Sequence, residues 1–136
     1  PTGGQAYDYG GTTGVNVTGA TSTFREFYDL GYEIMGITAY EVNANSGNSY
    51  YSSNIVNLDG KNATQAFRSY PNNFIYSGYV NSGTISYRNT YGYYWSANAY
   101  SATNGYRLRI YGTSSIIPGS GAAGKYYGFP IRCVAN

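Results

Sequence analysis

The chain has 136 residues and a mass of 14.8 kDa, enough for one hydrophobic core and too small for two. Charged residues are 10% of it, while Gly and Tyr supply 19 residues each and Ser and Asn 14 each, a composition that excludes a long amphipathic helix or coiled coil built from Ala, Glu, Lys, Leu and Arg. Eight Lys and Arg against six Asp and Glu leave a net charge of +2, without the basic stripe expected of a nucleic-acid binder.

The first 22 residues contain six Gly and read as loop or irregular strand. The chain opens Pro1-Thr2-Gly3-Gly4 without a Met, as a processed or trimmed product would. Thr23-Phe24-Arg25-Glu26 fits a capping box, in which the Thr hydroxyl and the Glu carboxylate each take one free amide. Phe24, Phe27, Tyr28 and Leu30 follow at helical spacing, with Gly31 as a stop. A helix is therefore expected over 23–31, and the run Ile34-Met35-Gly36-Ile37 either extends it or begins a strand. A second cap, Asn62-Ala63-Thr64-Gln65, opens a helix over 62–69. It must end before Pro71, because the residue ahead of a proline is pushed out of the helical region.

From Phe74 onward the texture is that of strands. Phe74 to Val80 and Thr84 to Tyr87 flank Asn81-Ser82-Gly83, which reads as a hairpin turn. Tyr93-Tyr94-Trp95 is a further strand, and Asn104-Gly105 carries the signal of a type I′ turn. Beyond it, Tyr106, Leu108 and Ile110 alternate with Arg107, Arg109 and Tyr111, as in a half-buried strand. Ile116-Ile117-Pro118 leads into a glycine loop over 119–124, and a last strand is expected from Tyr126 to Val134. Helices first and an antiparallel sheet second make an α+β fold, in one domain over 1–136. Phe67, Phe74, Trp95, Leu108, Ile110, Phe129 and Ile131 are its expected buried side chains.

The inventory of reactive groups argues against catalysis. Histidine is absent, which removes the commonest general base and metal ligand together, and a serine triad needs that base. Glu26, Asp29 and Glu33 are spaced as a solvated helix face rather than a carboxylate pair across a cleft. Calcium wants six to eight oxygens, yet no Asp or Glu follows Asp59. Neither a metal nor a cofactor is expected. The lone Cys133 has no partner within the chain, and no apolar run approaches the roughly 18 residues of a membrane helix.

Phe74-Ile-Tyr-Ser-Gly-Tyr-Val80, Tyr93-Tyr-Trp-Ser-Ala97 and Tyr126-Tyr-Gly-Phe-Pro-Ile-Arg-Cys-Val134 together resemble the Fibrobacter succinogenes major paralogous domain, a C-type-lectin-like module of bacterial surface proteins. The texture is similar to the versions abundant in Saccharibacteria. The resemblance covers residues 62–134 and implies a C-type-lectin-like fold, termini that lie close together and an extracellular, cell-surface location. It also implies that the terminal Cys pairs upstream in longer members, and Pro1-Thr-Gly-Gly4 is similar to the tail of the segment that carries that partner.

What the composition supports is contact. Tyr brings a large, rigid, amphipathic surface, and Ser, Gly and Asn adapt their hydrogen bonds to a partner. Twelve of the 19 tyrosines fall between Tyr70 and Tyr127. Tyr100, Tyr106, Arg107, Arg109 and Tyr111, flanking Asn104-Gly105, are the candidate binding residues, because Arg and Tyr are the types enriched at binding hot spots. The glycine run 119–124 is the next candidate. The expected function is a non-catalytic adhesion or recognition module whose partner is a protein or glycan surface. The alternative is self-assembly into an extracellular filament, which few charges and an edge poor in Lys would favour.

Overall fold

The computed structural model describes residues 25–37, 39–42 and 50–132. The expected cap at Thr23, the juxtaposed termini and Cys133 lie outside the described residues. The elements are α1 (Arg25–Met35), α2 (Ala39–Val42), β1 (Tyr51–Ser52), α3 (Ala63–Arg68), β2 (Tyr79–Asn81), β3 (Thr84–Ser86), β4 (Gly92–Ala99), β5 (Asn104–Tyr111) and β6 (Ser115–Gly124). Helices precede the main antiparallel strands, so the fold is α+β.

The capping box at α3 forms as its sequence dictates. The Asn62 side chain accepts from the Gln65 backbone N–H at 3.0 Å, and the Gln65 side chain accepts from the Asn62 backbone N–H at 3.0 Å. Helix α1 runs through Gly31 to Met35, so the Ile34-Met35 run extends the helix and Gly31 does not stop it. Gly31 sits beneath the Tyr51 ring, where a Cβ would lie 2.9 Å from the phenol oxygen; it is a packing glycine. Tyr51 in turn donates to the Ile37 carbonyl at 2.7 Å. The helix ends one turn later at Gly36, whose φ is +75°, the left-handed conformation glycine adopts freely.

Strands β1, β6, β5 and β4 form one four-stranded antiparallel sheet in that order, and β2 and β3 form a separate hairpin. The hairpin turns at Ser82 and Gly83, both at positive φ (+49° and +78°), as a type I′ turn demands. Its first strand is shorter than the expected Phe74–Val80. Over 75–77 side chains replace ladder bonds: the Tyr94 hydroxyl takes the Ile75 N–H at 2.9 Å and donates to the Ile75 carbonyl at 3.0 Å, while the Ser77 hydroxyl accepts from the Tyr93 N–H at 3.1 Å.

Three further expectations are corrected. Asn104-Gly105 is not a turn but the start of β5, with Gly105 opposite Ala99. Chain reversal occurs over 100–103, held by the Ser101 hydroxyl accepting from the Asn104 N–H at 3.1 Å. Gly105 is needed instead for close approach, since a Cβ there would meet the Trp95 indole at 2.8 Å. The glycine run 119–124 is not a loop but the body of β6. Between the pairs Gly105↔Ala123, Arg107↔Ser120 and Arg109↔Ile117, β6 twice uses three residues where β5 uses two, so its Gly and Pro residues serve as bulges. Pro118 falls within the second of these register shifts, and a bulge is a place where a strand tolerates the lack of proline's N–H. The expected strand Tyr126–Val134 is, over its described part, a single bridge of Gly128 to Val80 followed by irregular chain.

The main core lies between the helices and one face of the sheet: Met35, Tyr51, Phe67, Phe74, Tyr94, Leu108, Ile110 and Ile116, with Phe74 edge-on to Tyr94 at 5.0 Å. A second, smaller cluster on the opposite face joins Tyr93, Ala123 and Phe129 to the half-buried Tyr79, Tyr91, Trp95 and Tyr127. Phe67, Phe74, Leu108, Ile110 and Phe129 are buried as expected. Trp95 is not; it is half-buried and belongs to the second cluster, its ring 4.4 Å from Phe129. Ile131 is 77% exposed, because the chain beyond Pro130 has left the sheet and Arg132 covers Phe74 instead, its guanidinium 4.2 Å from the ring.

Truncation should separate these contributions. Leu108→Ala, at a fully buried site, is expected to destabilise by about 2–5 kcal/mol, and Asn62→Ala, which removes the cap, by about 1 kcal/mol. Urea unfolding of the two variants checks the order, and the reverse order would place the core elsewhere.

Candidate binding site: an aromatic cleft with two arginines

The site arises from strand periodicity. Successive side chains of a strand point to opposite faces, so Leu108 and Ile110 enter the main core while Arg107, Arg109 and Tyr111 face the other way. Antiparallel pairing sets Trp95 opposite Arg107 and Tyr93 opposite Arg109, which brings four large side chains onto one patch of sheet. The hairpin and the segment after β6 pack over that patch. Tyr79 of β2 meets Tyr93 edge-on at 5.2 Å and Tyr127 edge-on at 5.3 Å, and Phe129 stacks on Tyr93 at 5.2 Å.

Between these walls lies an open cleft of about 300 Å³, at the lower end of the range for small-molecule sites. Arg107 and Arg109 line it together with Phe129 and six tyrosines. Its far wall is a run of rings in which Tyr87 lies 4.9 Å from Tyr91, and Tyr91 stacks on Tyr111 at 4.4 Å. Tyr87 has φ +56°, a conformation uncommon for a bulky residue and one that concentrates where binding sites are built.

The electrostatics are unusual for so charge-poor a chain. The Arg107 guanidinium lies 5.7 Å from the centroids of both Tyr93 and Phe129, and that of Arg109 lies 4.3 Å from Tyr111 and 6.0 Å from Tyr93. The negative faces of these rings attract the cations. Among the described residues no carboxylate lines the cleft, and no Asp or Glu follows Asp59 in the sequence. The Nε atoms of both arginines are buried and meet no hydrogen-bond partner among the described residues. Burial, and after it the like charge of Arg109, holds the Arg107 guanidinium below its ordinary value. Burial pushes the Tyr93 phenol up, against the pull of both arginines, and a hydrogen bond to Tyr111 is the first cause raising that of Tyr91.

Of the residues the sequence singled out, Arg107, Arg109 and Tyr111 come together here. Tyr100 and Tyr106 do not line the cleft; they pack on each other edge-on at 5.2 Å, with Tyr106 buried. Sequence reasoning missed Tyr79, Tyr87, Tyr91, Tyr93, Tyr127 and Phe129 as parts of the same site. A two-residue turn at 104–105 would pair Thr103 with Tyr106, and that register does not set Tyr93 opposite Arg109. The glycine run 119–124 belongs to β6, and the side chains of 119–122 lie outside the described ones.

Among the described residues no group of three His, Cys, Asp or Glu side chains is placed to hold a metal ion, and no helix is long and apolar enough to cross a membrane. No family model, curated protein or solved structure matches the chain.

The tyrosines give a pH test. Tyr93, Tyr94 and Tyr106 have phenols raised above their ordinary 10.0, with burial as the first cause in each. Because the folded pKa exceeds the unfolded one, their stabilisation is whole below about pH 10 and is lost as the pH rises through the folded values. Spectrophotometric titration of phenolate should therefore show a late, cooperative phase coincident with unfolding. Simple titration of all tyrosines near pH 10 without unfolding would contradict the burial.

Proposed function

We propose that this chain is a non-catalytic interaction module that works outside the cell and recognises a surface partner through the tyrosine and arginine cleft. One observation carries the reading: two arginine cations are set side by side, partly desolvated, against aromatic walls, with no carboxylate among the described residues of the cleft to neutralise them. A structural arginine in such a place is ordinarily paired, so the lack of a counter-charge among the described residues favours a partner that supplies one. Tyr with Arg is also the combination most enriched where a few residues dominate binding. The charge-poor, Tyr-, Asn- and Ser-rich composition and the resemblance of residues 62–134 to bacterial surface domains support the extracellular, C-type-lectin-like part of the reading.

A second reading, self-assembly into an extracellular filament, is favoured by a different observation. Val80 and Ile85 lie directly opposite each other in the β2–β3 hairpin, and they are 41% and 58% exposed. Paired aliphatic side chains on a solvent face are candidates for burial against another copy.

The two readings part in one experiment. Wild-type protein and the double variant Arg109→Ala, Tyr111→Ala are applied to a printed glycan array and to whole bacterial cells, with the fold checked by near-ultraviolet circular dichroism. Recognition through the cleft predicts an intact fold and binding weaker by about 2 kcal/mol or more, roughly thirtyfold; unchanged binding would move the contact surface elsewhere. Electron microscopy of the same samples addresses assembly. Filaments abolished by Ile85→Lys but not by the double variant would favour the second reading.

A further inference from the structure

Taking the cleft as the recognition site, we propose that its occupant is a carboxylated sugar, a hexuronate unit of an acidic oligosaccharide, with the carboxylate held by Arg107 and Arg109 and the pyranose ring seated against the tyrosine walls. The class of ligand follows from three features of the cleft. The first is charge. Two guanidinium groups line it with no carboxylate among the described residues of its walls, and the planar fork of arginine matches a planar carboxylate with two parallel hydrogen bonds. The second is shape. A space of about 300 Å³ exceeds what a single aspartate or glutamate side chain fills, whereas a sugar ring occupies it and offers apolar C–H faces to flat aromatic rings. The third is polarity. Six tyrosines line the space, and a phenol both donates and accepts, which suits ring hydroxyls and leaves an extended acidic peptide with most of those groups unanswered.

The cations also explain why a neutral sugar is a poorer occupant. A neutral ring leaves both guanidinium groups in their partly desolvated setting with nothing to offset the like-charge contact between them. A carboxylate relieves that repulsion and adds hydrogen bonds to charged donors, the strongest kind available to a protein.

The test is calorimetric titration of the full chain with an oligogalacturonate and with the same oligosaccharide after reduction of its carboxyl groups to alcohols. The expected result is saturable binding of the uronate, weaker by about tenfold or more for the reduced form. Arg107→Gln and Arg109→Gln should each abolish that preference. Should either glutamine variant fail to fold, Arg109→Lys retains the charge but not the fork, and it should keep the preference while losing affinity. Equal binding of the acidic and reduced sugars would overturn the inference and leave the recognition module standing, as would tighter binding of a sulfated oligosaccharide or of poly-glutamate. Binding of no saccharide by a folded wild type that still adheres to cells would likewise overturn the inference alone, whereas loss of both would overturn the module reading as well.

Discussion

The proposed recognition site depends on the two-residue period of β4 and β5. The same strands supply Tyr94, Leu108 and Ile110 to the main core and Tyr93, Trp95, Arg107, Arg109 and Tyr111 to the opposite face. A slip of one residue in either strand would exchange the two sets, driving two arginines into the space filled by Leu108 and Ile110. The core therefore fixes the site: the cost of burying Arg107 or Arg109 against the helices enforces the register, and the register sets the arginines opposite Trp95 and Tyr93.

That face would be an ordinary solvated surface without the second layer over it. The β2–β3 hairpin is held to the segment after β6 by reciprocal bonds between Val80 and Gly128, at 3.0 and 2.8 Å, and to the sheet by the Gly78 N–H on the Tyr91 carbonyl at 2.7 Å. These few backbone bonds, with the rings of Tyr79, Tyr127 and Phe129, shield the guanidinium groups from water on one side while leaving the cleft open on the other. In a chain with no acidic residue after Asp59, aromatic faces are the counterweight available to those charges from the C-terminal half. They attract a cation less strongly than a carboxylate does, so the proposed recognition site takes its anion from outside.

The fold was legible in the sequence wherever a local rule had no competitor. The Asn62–Gln65 cap, the Ser82-Gly83 turn and the alternation from Tyr106 to Tyr111 follow from propensity and period, and each stands in the structure. Three of the expectations that failed involved a glycine or proline whose role was tertiary. Gly31 was expected to end a helix and instead makes room for Tyr51; Gly105 was expected to form a turn and instead makes room for Trp95. Pro118 and the glycines after it were expected to form a loop and instead lie in a bulged strand. Permissive residues mark both turns and close approaches, and the sequence alone does not say which. Six of the nine cleft residues escaped the sequence reading, in part by the same route. Arg107, Arg109 and Tyr111 were visible from alternation, but their neighbours on β4, β2 and the C-terminal segment follow from a register that a misplaced turn conceals.

The division into two clusters also separates the main core from the proposed recognition site. Phe67, Leu108, Ile110 and Ile116 are buried without residue, and they hold helices and sheet together on the side away from the cleft. The cleft residues are half-buried for the most part, partly desolvated and, at Tyr87, in a backbone conformation that bulky side chains seldom adopt. Such features lower stability locally, and a small domain tolerates them where the main core does not depend on them. A surface of the kind proposed, presenting arginine cations and adaptable phenols, is best carried by the layer whose packing is least essential to the fold. The alternation of β4 and β5 assigns it there, because one strand pair faces both layers and needs no further element to join them.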